Sequence, residues 1–178
     1  MNKKLNVPML IMLVGAVAII ISLFLPYVSA TEEYAKILNN SLDTSFEQLN
    51  MTRQEAINPS LYNIANAYYQ ASESYTHILY KYFVPISVAT IGIFALLNIL
   101  FSVLKKPIPA IVFDILSVGI FALLNWDFQG RGVFTKVYNF STGYYLLYVA
   151  SIVILIGAVW LLINKMKDKK KDKEINKN

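Results

Sequence analysis

The sequence predicts an all-α protein, a four-helix transmembrane bundle with a small helical extracellular cap between the first and second spans. Three observations predict this fold. Of the 178 residues, 56% are hydrophobic and 15% are charged, whereas an average soluble protein is about 25% charged. Four apolar stretches reach the roughly 20 residues that a helix needs to cross a bilayer. Lysines and tyrosines are concentrated in alternate connecting segments, which gives the bundle a direction.

Each predicted span is an apolar run without the polar face that a soluble helix shows about every 3.6 residues. Asp114 is the only charged residue within the four spans. The predicted segments in chain order are a cytoplasmic N-terminus at 1–8, a first span at 9–28, a helical extracellular loop at 29–82, a second span at 83–104, a cytoplasmic turn at 105–107, a third span at 108–126, an extracellular loop at 127–142, a fourth span at 143–163 and a basic cytoplasmic tail at 164–178.

Two separate biases place both termini in the cytoplasm of a multi-pass plasma-membrane protein. Lysines dominate the N-terminus, the turn and the tail, while the 29–82 loop carries more acids than bases, and basic segments stay inside. All twelve tyrosines lie in the predicted outer loops or near the outer membrane face, and such side chains prefer the membrane–water interface. The predicted outer belt consists of Tyr27, Tyr80, Tyr82, Trp126, Tyr144, Tyr145 and Tyr148, and Trp160 marks the inner face.

The first span has a second interpretation. The flank from Leu25 to Ala30 ends in a small-x-small pattern after a proline, as a signal-peptidase site does. The apolar core is longer than the roughly 7–15 residues of a signal peptide, so we favour a retained span. Cleavage would leave three spans and the same topology.

The 29–82 loop is too long for a simple connector, and its turn signals divide it into short helices. Thr31 followed by two glutamates predicts the N-terminus of a helix that stops at residues 39–41. A second short helix follows residues 43–45 and ends before the breaker at 58–60. The last outer loop has a glycine on each side of Arg131, which predicts a turn.

A longer helix beginning near residue 60 carries a heptad-like seam, and no strong breaker separates it from the second span. The seam consists of Leu61, Ala65, Tyr68, Ser72, Tyr75, Leu79 and Tyr82, at the alternating spacings of a helix-packing surface. Our first expectation is that the seam packs on the other cap helices. The alternative is a partner-binding face, for which the candidate residues are Leu61, Tyr62, Tyr68, Tyr69 and Tyr75.

Two polar residues, Asp114 and Asn98, are predicted inside the membrane. The short turn at 105–107 makes the second and third spans an antiparallel hairpin, so residues equally distant from the turn lie at one depth. The level pairs are Asn98 with Asp114, Gly92 with Gly119, and Ser87 with Asn125. We expect Asp114 to lock the hairpin through Asn98 or Lys105. The alternative is a proton- or cation-binding site.

The composition excludes several kinds of chemistry. The chain has no Cys and one His, which excludes disulfides, zinc–cysteine sites and thiol nucleophiles. It has no nucleotide-binding, metalloprotease or hydrolase motif. We therefore expect a protein that is not an enzyme, with no catalytic residue, metal or cofactor. No nucleic-acid partner is expected either, since the basic tail is not accompanied by aromatic residues or a folded module.

The expected function is protein binding by the extracellular cap. The abundance of Lys, Asn and Ile suggests a bacterial protein, either an accessory subunit of a membrane complex or an immunity-type protein against a secreted toxin. The expected partners are membrane lipid, which the basic tail contacts, and a membrane or extracellular protein, while self-association stays open. The alternative function is a small channel or transporter subunit that uses Asp114 and Asn98.

Overall fold

The computed structural model describes residues 6–41, 51–70, 78–134 and 136–175, and it is mostly helical. Its elements in chain order are α1 (Val7–Ser22), β1 (Val28–Ala30), α2 (Glu32–Asn40), α3 (Arg53–Ile57), α4 (Leu61–Gln70), α5 (Ile78–Val103), α6 (Pro107–Gly130), β2 (Tyr138–Phe140) and α7 (Thr142–Ile175). The helices α1, α5, α6 and α7 form a ring in which each one packs against the next and α7 closes on α1. We call the end of this ring where α1 ends and α7 begins the aromatic end, and the end with the turn at 104–106 the lysine end.

In the described part of the chain, three helices are long and apolar enough to cross a membrane, within Lys81–Val103, Pro107–Gly130 and Thr142–Lys169. Their outward faces are apolar too, because Leu96, Ile115 and Ile152 are all more than half exposed. A helix that is apolar on all sides belongs in the interior of a large protein or in a membrane. The chain is therefore a membrane protein. The fourth helix of the ring, α1, is apolar but has only 16 residues.

The antiparallel helices α1 and α7 pack with their backbones in close approach. A Cβ added at Gly157 would lie 2.9 Å from the carbonyl oxygen of Pro8, and one at Gly15 would lie 2.8 Å from that of Ala150. Glycine is required at both positions because a side chain would force the two helices apart. The close contact extends along α1, so α1 and α7 pack tightly over this length.

The helices α5 and α6 form the predicted antiparallel hairpin, but the predicted pairing of its two glycines is wrong. A Cβ at Gly92 would lie 3.6 Å from Leu23, directly after α1, and one at Gly119 would meet no atom of the described residues within 4 Å. Equal distance from the turn sets the depth of a residue. Rotation about the helix axis decides what its side chain faces, and the hairpin count does not contain that rotation.

A short β-ladder departs from the all-α prediction. The strands β1 and β2 pair antiparallel, with Val28 opposite Phe140 and Ala30 opposite Tyr138. Three residues are too few for the alternating pattern that predicts a strand from sequence. The ladder joins the segment after α1 to the segment before α7, so the first and last helices of the ring are also tied together at the aromatic end.

The short helices α2 and α3 are fixed by N-terminal caps. Thr31 Oγ1 accepts the N–H of Tyr34 at 3.4 Å, and Thr52 Oγ1 accepts that of Glu55 at 3.2 Å. The carboxylate of Glu55 accepts the N–H of Thr52 at 2.7 Å in return, which completes a capping box. The predicted helix after Thr31 is confirmed.

The predicted break after the second short helix is confirmed, since α3 ends at Ile57. The start of that helix near residues 43–45 lies outside the described residues. The predicted continuity of α4 with α5 also falls outside them, because residues 71–77 separate the two described helices.

Candidate functional site

Tyr27 lies at the centre of the aromatic end. Its side chain is 1% exposed, and its hydroxyl donates a hydrogen bond to Asn125 Oδ1. Its ring lies 5.6–6.1 Å from the ring centroids of Phe121, Phe128, Phe134, Phe140 and Tyr144. The prediction that Tyr27 belongs to a belt at the membrane surface is therefore wrong, since its side chain fills the interior of the protein.

The backbone of Tyr27 holds two parts of the chain together. Its N–H donates to the carbonyl oxygen of Pro59 at 2.9 Å, just before α4, and its carbonyl oxygen accepts the N–H of Ser141 at 3.0 Å, just before α7. The start of α4 is held in the same way, because the N–H of Tyr62 donates to the carbonyl oxygen of Leu23 at 3.0 Å. The segment after α1 thus positions the helices that follow it.

The other predicted belt residues divide into two groups. Tyr82, Trp126 and Tyr145 are exposed on the outside of the bundle, and Trp160 is exposed toward the lysine end. Tyr144 and Tyr148 are half-buried and pack against Phe121. The side chain of Tyr80 lies outside the described part of the chain.

A cavity of about 340 Å³ opens between α2, α3, α4 and the segment before β2; we call it the cap cavity. Its walls are largely apolar and include Tyr34, Met51, Ala56, Ile64, Tyr68 and Tyr138. The hydroxyl of Tyr138 donates to the carbonyl oxygen of Ala56 at 2.7 Å, and burial raises the pKa of Tyr138 to about 12. An open apolar space with a few tyrosine hydroxyls is suited to an apolar or aromatic group of a ligand.

Arg131 fixes one wall of the cap cavity. Its Nε donates to Asp127 Oδ2 at 3.0 Å and its Nη1 to the hydroxyl of Tyr68 at 3.0 Å. The guanidinium also lies over the rings of Tyr68 and Phe128, 5.4 and 5.7 Å from their centroids. Burial acts to lower the pKa of Arg131, but the bonds to Asp127 and Tyr68 outweigh it and raise the pKa. Arg131 therefore stays charged and holds α4 against the end of α6.

The structure describes four of the five predicted partner-binding residues, and they lie on different faces of α4. Leu61 is 1% exposed and lies in the main core, and Tyr68 is half-buried against it. Tyr62 and Tyr69 are 53% and 56% exposed. Tyr75 lies outside the described residues. The start of the seam packs inward, but it packs into the main core and not on the other cap helices as expected. The exposed face of α4 is that of Tyr62 and Tyr69.

Asp114 is completely buried, and its partner lies on α7. Ser151 Oγ donates to Asp114 Oδ2 at 2.8 Å. The prediction that Asp114 bonds to Asn98 or Lys105 is therefore wrong. The hydrogen bond joins α6 to α7 and does not hold α5 against α6. The sequence signal for this contact is Ser151, a polar residue near the middle of the predicted fourth span.

Asn98 is also completely buried, in α5. In the described part of the chain its side-chain amide has no hydrogen-bond partner, and neither has Asp114 Oδ1. Ser102 Oγ donates to the backbone carbonyl of Asn98 at 2.6 Å and leaves the amide unused. The interior of the bundle thus contains polar atoms whose bonding capacity is unfilled, a costly arrangement in a low-dielectric medium.

No protein-family model matches this chain, and no curated protein or solved structure is significantly similar to it. Within the described ranges, no three His, Asp or Glu side chains are grouped so that they could hold a metal ion. The function must therefore be argued from the cap cavity, the exposed tyrosines and the buried polar residues.

Proposed function

We propose that the chain is a four-span plasma-membrane protein with both termini in the cytoplasm, and that α1 is a retained span. Two observations support the fourth span. Val14, Val17 and Ile21 expose apolar side chains on the outside of α1, as the lipid-facing sides of the longer helices do. Cleavage after Ala30 would remove Tyr27, which carries the packing of the aromatic end.

In this orientation the aromatic end, with α2, α3 and α4, is an extracellular cap. The Lys105–Lys106 turn and the lysines of α7 lie at the opposite end, which agrees with the preference of basic segments for the cytoplasm. Trp126 and Tyr145 would then reach the outer membrane surface and Trp160 the inner one.

The proposed function is non-enzymatic binding of a protein partner by this cap. The observation that carries it is the cap cavity, which opens beside a helix with two largely exposed tyrosines, Tyr62 and Tyr69. At about 340 Å³ the cavity has room for a large side chain of a partner. Tyrosines are enriched at protein interfaces because they offer a large contact area and one polar group. An accessory subunit of a membrane complex and an immunity-type protein against a secreted toxin would use this surface in the same way.

Photo-crosslinking in intact cells tests this proposal. A benzophenone amino acid at position 69 should give an adduct of one defined mass, and the same group at Leu96, on the apolar outer face of α5, should not. Ala67→Phe, which narrows the cap cavity, should abolish the adduct at position 69. Ile37→Phe adds the same ring to an exposed site away from the cavity and should leave the adduct intact.

The cell fraction that contains the crosslinked partner distinguishes the two roles. A membrane-embedded partner would identify an accessory subunit, and a secreted one an immunity-type protein. Absence of any adduct at position 69, or an adduct that Ala67→Phe does not affect, would rule out binding through this surface.

The second candidate is a channel or transporter subunit. Its specific support is that the buried amide of Asn98 and Asp114 Oδ1 have no hydrogen-bond partner among the described residues. These atoms could line a polar path in an oligomer. In liposomes Asp114→Asn should then abolish ion or proton flux, because it removes the ionisable group and keeps an acceptor for Ser151. Ser117→Ala alters a nearby buried serine that bonds its own helix at Phe113 and should have no effect. Wild-type protein without flux would end this alternative.

A further inference from the structure

Two cavities open at the lysine end, one on each side of Lys165. The first, of about 470 Å³, includes Lys105, Trp160 and Lys165 in its walls, with Asp168 as its acid. The second, of about 310 Å³, includes Lys106, Lys165 and Lys169, and no acid is among its described walls. Both cavities are therefore positively charged, and Lys165 contributes to each.

A backbone carbonyl oxygen holds the side chain of Lys165 at the turn. Lys165 Nζ donates to the carbonyl oxygen of Lys105 at 2.5 Å, which links α7 to the turn between α5 and α6. Lys105 has a φ of 54°, in the left-handed region that residues other than glycine seldom adopt. The ammonium group of Lys165 thus lies beside the backbone of Lys105, and both lysines line the first cavity.

An apolar groove of about 410 Å³ adjoins the first cavity on the side toward the middle of α7. Its walls are Leu155, Ile156, Val159, Trp160 and Ile163, and Trp160 also lines the first cavity. The cationic first cavity and the apolar groove are therefore adjacent, with Trp160 in the walls of both. This is the order of chemistry found across the surface of a bilayer, with headgroup, interface and hydrocarbon.

We propose that the lysine end binds one anionic phospholipid, with its phosphate between Lys105 and Lys165 and an acyl chain in the groove beside Trp160. Charge complementarity favours this ligand. A zwitterionic lipid is attracted less strongly by the lysines, and a soluble anion has no apolar part to bury in the groove. Basic pockets between membrane helices are known sites for such headgroups. The proposal needs the membrane location but not the partner-binding role of the cap, so either can fail alone.

Tryptophan quenching by brominated lipids tests the proposal. The chain has two tryptophans, and Trp126→Phe leaves Trp160 as the only reporter. The full chain is reconstituted in mixed phosphatidylglycerol and phosphatidylcholine, with one lipid brominated at a time. At equal mole fractions, brominated phosphatidylglycerol should quench Trp160 more strongly than brominated phosphatidylcholine. Lys165→Gln should lower the preference for the anionic lipid about fivefold, because it removes one of the two ammonium groups proposed to bind the phosphate directly. A fivefold change corresponds to roughly 1 kcal/mol.

Lys167→Gln is the matched control, because Lys167 is exposed on the same helix and lines neither cavity. It removes the same charge and should change the preference less than twofold. Trp160→Phe leaves Trp126 at the opposite end as the reporter, which should show no preference. Lys105→Gln provides the second test variant, in case Lys165→Gln fails to fold. Equal quenching of Trp160 by the two lipids, or equal effects of Lys165→Gln and Lys167→Gln, would overturn the proposal in favour of diffuse attraction.

Discussion

At the scale of single residues, Tyr27 is the residue on which the packing of the aromatic end depends. It combines a buried ring among five aromatic neighbours, a hydroxyl bound to Asn125 and a backbone bound to the chain before α4 and before α7. Ring contacts of this kind add to the free energy of burial. A single side chain therefore carries both the packing and the polar bonding of this region.

Tyr27→Phe should lower the free energy of unfolding by about 1–2 kcal/mol, because it removes one buried hydrogen bond and leaves the acceptor of Asn125 unpaired. The measurement is thermal or denaturant unfolding of the purified protein in detergent. Tyr145→Phe removes a hydroxyl from an exposed ring and should have almost no effect. Equal losses for the two variants would show that the Tyr27–Asn125 bond does not stabilise the fold.

We expect Glu55 to make the helix α3 sensitive to acid. Hydrogen bonds from Thr52 lower the pKa of Glu55 below its usual 4.5, so the folded state favours the charged form. The stabilisation is present above the unfolded pKa and is lost as the pH falls through the lower, folded value. The exchange protection of α3 amides should therefore fall below about pH 4.5, as measured by hydrogen exchange.

Glu55→Gln supplies the control for this pH dependence. It keeps an acceptor at the capping position but cannot titrate, so the acid-dependent part of the exchange should disappear. Glu33, in the first turn of α2, is exposed, and Glu33→Gln should leave the exchange of α3 as it is in the wild type. An acid response that persists in Glu55→Gln would assign the effect to another group.

At the scale of elements, the packing of α1 on α7 depends on glycine. Gly157→Ala should lower the free energy of unfolding by about 1–3 kcal/mol, because the new methyl group would lie 2.9 Å from backbone atoms of Pro8 and Met12. Gly119→Ala is the matched control, since a Cβ there meets nothing within 4 Å. We expect that control to be neutral or slightly stabilising, as alanine favours helix over glycine. Unfolding in detergent compares the two, and similar values would argue against close packing of α1 on α7.

The elements also show what sequence could predict. The apolar runs of α5, α6 and α7 were predictable because spanning length and composition are local properties. The helix after Thr31 was predictable for the same reason, since a cap and its first turn are adjacent in sequence. The contacts of Tyr27 and Asp114 were not predictable, because their partners are remote in sequence and depend on how each helix is rotated. The distance from the turn predicts the depth of a residue along the bundle but not which neighbour its side chain contacts. For this reason the predicted contact between Gly92 and Gly119 is wrong.

At the scale of the whole molecule, the orientation in the membrane is the property on which the proposed function depends. The chain has no cysteine, so single thiols can be introduced without background. A membrane-impermeant maleimide should label Tyr69→Cys in intact cells and Lys167→Cys only after lysis, since the two exposed residues lie at opposite ends of the bundle. The reverse labelling would invert the topology and place the cap in the cytoplasm.

The candidate site was also predictable only in part. The sequence predicted that the region of Tyr62 to Tyr69 belongs to a cap, because the seam spacing is helical. It could not predict the cap cavity, whose walls come from segments separated by about a hundred residues and are held by the bonds of Arg131 and Tyr138. A cavity is a property of how elements meet, and local patterns do not encode it.

The ladder between β1 and β2 has a consequence for how the chain is made. Ser29 pairs with Asn139 in this ladder, 110 positions later in the chain, a distance that a ribosome covers in roughly 6–22 s at 5–20 residues per second. During that interval α1 has been synthesised while its main neighbour, α7, has not. The first helix must therefore remain without its largest packing surface until α7 has been synthesised and the ring can form.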